Sequence, residues 1–151
     1  MKLEISIDDK DWKSVASLRT ITRAAVKAAL KNDDVSVSVL FTGDAEILEV
    51  NAQWRGKANA TNVLSFPVSA TTPVPDGEPR PIGDIVLAYG VIAREAEEQK
   101  KTVANHVAHL IVHGTLHLLG YDHEDDGEAA IMEAREIEIL TGLGIENPYR
   151  S

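Results

Sequence analysis

Leu3, Ile5 and Ile7 alternate with polar residues, the period of a strand with one buried face. Over residues 11–31 the period lengthens, and Trp12, Val15, Leu18, Ile21, Ala25 and Ala28 fall along one side of a helix. Alternation returns at Val35, Val37, Val39 and Phe41, which predicts a second strand. A helix carrying Ile47, Leu48 and Val50 should follow, capped by Thr42 or Asp44 and ending near Trp54. Val63 to Phe66 is a short, almost wholly apolar strand closed by Pro67, and that character predicts an inner place in the sheet. The run from Ser69 to Pro81 holds four prolines and a glycine and reads as a surface loop. Beyond it come a strand over 82–87, helical stretches over 89–101 and 102–119, and a last helix over about 126–140 that stops at Gly142.

Four strands with helices between and after them predict a layered α+β or α/β domain, and sequence order alone does not decide which. Strands separated by a helix should run parallel; those joined only by the loop after Pro67 are free to be antiparallel. In the stretch over 102–119, Val103, Val107, Leu110, Ile111 and Leu118 form a wide apolar surface, which predicts a helix at the centre of the domain. The 151 residues, 1–151, are expected to form a single domain with a core that needs no disulfide staples. No apolar run approaches the roughly eighteen residues needed to cross a membrane, and the first residues lack a signal-peptide layout. With no cysteine in the chain, these features lead us to expect a cytoplasmic protein without a membrane partner.

The net charge of −9 argues against a protein that coats nucleic acid by bulk electrostatics. The acid is concentrated: seven carboxylates and only Arg135 lie between Glu124 and Glu138, most of them expected on a solvated outer helix face. Residues 51–105 are balanced, which leaves room for a local basic cleft.

All five histidines fall between His106 and His123. Residues four apart share one helix face, so His113 and His117 can present two imidazoles to one ion. Gly120 stands where the helix must stop and a positive φ is needed, and the reversal can return His123 over the same face. His109 and His113 are also four apart; the glycine and third histidine that follow favour the pair His113 and His117. Three imidazoles leave a tetrahedral zinc one open position, the pattern of catalytic rather than structural zinc. The spacing matches the HExxH zinc proteases, but Gly114 stands where those enzymes carry their glutamate base, so a peptidase of that mechanism is not expected. Asp122 and Glu124 are read as partners that orient a histidine, and His109 as a core histidine.

A second segment, Asn51-Ala52-Gln53-Trp54-Arg55-Gly56-Lys57 followed by Thr61-Asn62-Val63-Leu64-Ser65-Phe66-Pro67, places Arg55 and Lys57 near a loop between a helix and a strand. A guanidinium offers a two-pronged fork to phosphate, with a charge independent of pH.

Together the two segments resemble the YbeY family of bacterial rRNA maturation factors. The pattern HGxLHLxGYDH is matched from His113 to His123, NxxWR-x-K…T-[DN]-VLSFP from Asn51 to Pro67, and Gly83-Asp84-Ile85 is similar to a GDI strand of the family. Asn62 stands where many members have Asp. The resemblance implies an α+β domain with a four-stranded mixed sheet and a core similar to zinc metalloproteases. It implies one zinc per chain on His113, His117 and His123, with Arg55 as the functional arginine. The implied activity is metal-dependent, single-strand-specific endoribonuclease cleavage in 16S rRNA 3′-end maturation and late small-subunit quality control. Implied partners are the 16S rRNA precursor, the small ribosomal subunit with its proteins, and an assembly GTPase. In this reading Arg55 stabilises charge on the phosphate and Lys57 contacts the substrate. A ribosome-assembly factor in which zinc only holds the fold is the alternative, and a hydrolase of peptides or small esters a third.

Overall fold

The first alternating segment is β1 (Lys2–Ile7) and the second β2 (Val35–Thr42); they run parallel, with Leu3 opposite Val37 and Ile5 opposite Val39. They are seen in a computed structural model that describes every residue except Asp33, Ala70, Arg150 and Ser151. The single helix expected between them is two pieces. Lys10–Ser14 form a 3-10 turn, and α1 (Leu18–Ala29) starts only after Ser17, whose φ of 59° cannot continue a helix. Trp12 accounts for the break. Its ring meets Phe41 and Tyr89 edge-on, and its indole N–H donates to the Thr42 carbonyl at 2.8 Å, which bends the turn toward the end of β2.

α2 (Asp44–Arg55) follows β2, but neither Thr42 nor Asp44 caps it; the N-cap is Gly43. Asp44 instead accepts from the Val91 N–H at 3.0 Å and pairs with Arg94 at 3.1 Å, so it ties α2 to the first turn of α3 (Tyr89–Glu98).

β3 (Val63–Pro67) and β4 (Arg80–Ala88) are antiparallel, β4 is parallel to β2, and the sheet order is β1-β2-β4-β3. β3 is therefore an edge strand and not the inner one its composition predicts. Its apolar run reflects packing on both faces: Leu64 is buried with Ile47 of α2, while Val63 is half-buried against the core that includes α4 (Val103–Leu118). Burial of a face says nothing about whether an edge is paired. β4 begins two residues earlier than expected, because the pairing shifts between Ser36 and Val37 of β2 and Ile82 is passed over. That bulge admits Pro81 at the start of the strand.

On one face of the sheet Val37, Val39, Phe41, Ile85 and Leu87 meet α1 and α4, and α5 (Asp126–Gly142) adds Met132, Ile139 and Leu140. A smaller cluster of Ile47, Leu64, Val86 and Ala88 lies on the α2 side. α4 is buried along most of its length, as its apolar surface predicts. The result is an α+β domain with a four-stranded mixed sheet and, among the described residues, five α-helices. No described helix is long and apolar enough to cross a membrane.

Candidate metal centre

Thr102 caps α4 by accepting from the Asn105 N–H at 3.0 Å, and the helix carries His113 and His117 on one face. At the far end Gly120, with φ of 104°, donates its N–H to the His117 carbonyl, and Tyr121 donates to the Leu116 carbonyl, both at 3.0 Å. This paired closure needs a left-handed residue at the position Gly120 fills. Tyr121 then packs on the core, and the chain returns His123 over the helix face. Ring nitrogens of His113, His117 and His123 lie within 4.8 Å of one another. Their ring centroids are separated by 4.7 Å (113 to 117), 4.9 Å (117 to 123) and 5.6 Å (113 to 123). Three nitrogen donors at this spacing could hold one metal ion. Burial, with His113 and His123 alongside, lowers the pKa of His117 and favours the neutral imidazole that a ligand must be.

The carboxylate that orients this cluster is Glu136 of α5. It is fully buried, and its Oε1 lies 3.1 Å from Nδ1 of His113 and 2.8 Å from Nε2 of His109. The Tyr149 hydroxyl donates to Oε2 at 2.9 Å. Burial pushes the Glu136 pKa up, but hydrogen bonds and charge from His109 and His113 outweigh it and hold the group down to about 2. An ionised carboxylate only accepts, so His113 carries its proton on Nδ1 and leaves Nε2 free for an ion. By the same logic His109 donates from Nε2, and its buried Nδ1 has no hydrogen-bond partner among the described residues.

Six of the seven carboxylates between Glu124 and Glu138 are exposed, as expected for most of them, and Glu136 is the exception. Two expectations are corrected here: His109 is a hydrogen-bonded neighbour of the centre and not a plain core residue, and neither Asp122 nor Glu124 bonds a histidine ring. Asp122 accepts from the backbone N–H of His123 at 2.8 Å. Glu136 was hidden among seven carboxylates; the available signal was its spacing, four residues beyond the buried Met132 and three before the buried Ile139.

Gly114 packs closely on the sheet. A Cβ there would lie 3.0 Å from Ser65 Oγ and 3.2 Å from Ile85 Cγ2, so at the position that bears glutamate in HExxH proteins any side chain would require these neighbours to give way by a few tenths of an ångström.

Arg55 is the last residue of α2, and Gly56, with φ of 69°, ends the helix. Buried Asn51 donates from Nδ2 to the Asn59 carbonyl at 3.0 Å and pins the loop that follows. Arg55, Asn62, Ser65 and Pro67 line one cleft of about 560 Å³ together with His113, His117 and His123. Arg55 makes no ion pair among the described residues. Lys57 is exposed on the loop and does not line this cleft. Asn62 donates to Glu95 at 3.0 Å, and Glu95 also bonds His106 at 2.8 Å. An aspartate at position 62 would face that carboxylate, which accounts for the amide here.

A buried helix with two imidazoles and a third returned by the turn after it give this α+β domain a three-histidine group that could hold a metal ion, with Arg55 lining the same cleft. The family model described as Endoribonuclease YbeY matches residues 3–144, and the chain belongs to that family. Among its relatives, Endoribonuclease YbeY of Azorhizobium caulinodans is 45% identical over 156 residues, covering 99% of this chain and 96% of that protein. The protein of the same name from Chelativorans sp. is 46% identical over 151 residues, covering 97% and 92%. The solution structure of TM1509 from Thermotoga maritima aligns with a TM-score of 0.57 at 25% identity, covering 99% of this chain and 96% of the other.

Proposed function

We propose that this protein is a zinc-dependent endoribonuclease that cuts single-stranded RNA, acting on the 16S rRNA precursor in 3′-end maturation and late small-subunit quality control. The observation that carries the reading is the shared cleft, lined both by the three imidazoles and by Arg55, whose guanidinium makes no ion pair among the described residues. His113, His117 and His123 would hold one zinc ion per chain, an all-nitrogen set that suits this metal. When bound, the ion supplies Lewis acidity toward water and a phosphoryl oxygen.

The chain's own residues do the rest. Arg55 holds the nonbridging oxygens of the scissile phosphate and stabilises the charge that builds on them, a contribution of about 3 kcal/mol for such a group. Glu136 fixes the His113 ring and its tautomer, with Tyr149 bracing the carboxylate. Lys57, on the loop beside the cleft, meets phosphates flanking the cut. The absence of a glutamate at Gly114 favours a phosphodiester over a peptide. Partners of the same reading are small-subunit ribosomal proteins and an assembly GTPase, at work in the cytoplasm.

The test is cleavage of a 3′-extended small-subunit rRNA fragment by zinc-loaded, metal-stripped and Arg55→Ala protein, side by side. Cleavage by the loaded wild type alone supports the reading. Cleavage that persists in all three removes it, and a folded, zinc-loaded protein that never cuts yet is needed for ribosome maturation leaves the assembly-factor alternative.

A further inference from the structure

Trp54 is 69% exposed, the most exposed of the large apolar side chains among the described residues. It lines a groove of about 350 Å³ with Val50, Phe66 and Asp84 on the α2 side of the sheet. That groove and the three-histidine cleft lie back to back across β3. Successive strand residues point to opposite faces, so Ser65 and Pro67 wall the cleft while Phe66, between them, lines the groove. The end of α2 divides in the same way, with Arg55 in the cleft and Trp54 in the groove. β3 is an edge strand, and a chain crossing its free edge reaches both sides.

Building on the nuclease reading above, we propose that Trp54 is the stacking platform for a nucleobase of single-stranded RNA, on the nucleotide next to the phosphate held by Arg55. Two features of the groove select that occupant. The Asp84 carboxylate repels phosphate, so the neutral base fits the groove while the backbone is drawn to the guanidinium on the other side. The net charge of −9 denies the protein a strong general attraction for RNA, and local contacts must supply the affinity. A base on an exposed indole is such a contact, and it tolerates any sequence because every base has a π face.

The chain has two tryptophans, and Trp12 is buried at 1% exposure, so fluorescence quenching on RNA binding reports Trp54. Stopped-flow mixing of the zinc-loaded full chain with a single-stranded RNA oligonucleotide should show quenching before turnover. Trp54→Ala should raise KM about tenfold with little change in kcat, and leave zinc content and melting temperature unaltered. Trp54→Phe should restore most of the KM and Trp54→Leu should not, because leucine is apolar without a flat π face. If wild type cleaves RNA without quenching, and Trp54→Ala keeps its KM, the platform is wrong and the nuclease reading stands. Rescue by leucine as full as by phenylalanine would replace the stack with an apolar surface for a protein partner. Wild type that neither binds nor cleaves RNA overturns both proposals together.

Discussion

His113 donates from Nδ1 to Glu136 at 3.1 Å, joining a candidate ligand on α4 to a carboxylate 23 residues later on α5. The bond fixes which nitrogen faces the cleft. Glutamine at 136 keeps the shape and loses the charge, and zinc affinity should fall about ten- to hundredfold, read by competition with a chelator. Glu136→Ala should in addition destabilise the fold by about 2 kcal/mol, because two half-buried imidazole N–H groups lose their acceptor. Unchanged affinity in both variants would end the orienting role.

The register along α4 is tested by single substitutions. His117→Ala should lose the ion, while His109→Ala, whose ring bonds Glu136 and lies outside the group of three, should keep close to one zinc per chain. Metal analysis that gave the reverse result would move the site one turn toward the start of the helix.

Arg55→Ala should leave zinc content and melting temperature almost unchanged, since an exposed side chain with no ion pair contributes little to folding. RNA cleavage should fall about a hundredfold. Falling stability with activity kept would make Arg55 structural. Binding of RNA should also weaken only gently with salt, as expected for contacts to a few phosphates, and Lys57→Ala should flatten that slope further.

Gly114→Glu restores the letters of HExxH and should yield no peptidase. Side-chain atoms would be forced against Ser65 and Ile85, and the main expected result is loss of soluble, cooperatively unfolding protein. A stable variant that hydrolyses a peptide would show that packing was not what excluded glutamate.

Acid should destabilise the metal-stripped protein in two steps. Burial holds both His106 and His117 below the ordinary histidine value of 6.5. The unfolded chain therefore binds protons first as pH falls, and this part of the stability is complete above about 6.5 and declines below it. Glu136, held at about 2 against an ordinary 4.5, acts lower: its contribution is present above 4.5 and is lost as pH drops toward 2. Urea midpoints measured across this range should fall with acid, and a midpoint that rose between about pH 7 and about pH 5 would contradict the histidine assignment.

The elements with a strong period were legible before any fold was known: β1, β2, α4 and α5 fall within a few residues of their expected places. So was the three-histidine group, because an i, i+4 pair, a glycine stop and a third histidine after the turn are all local geometry, fixed within eleven residues of chain. The break at Ser17 was not legible, since Trp12 leaves the helical path to reach Phe41 and Thr42 on another strand.

The sequence by itself determined which side chains could share an ion and which helix would lie at the centre. Tertiary structure alone decided that β3 stands at the edge, that Arg55 lines the same cleft as the histidines, and that Glu136 of all the acids near it is buried against His113. Periodicity reports which faces of an element are covered. The partner that covers a face comes from remote parts of the chain, and the hydrogen bonds and repulsions that sort one carboxylate from its neighbours exist only after those parts have met.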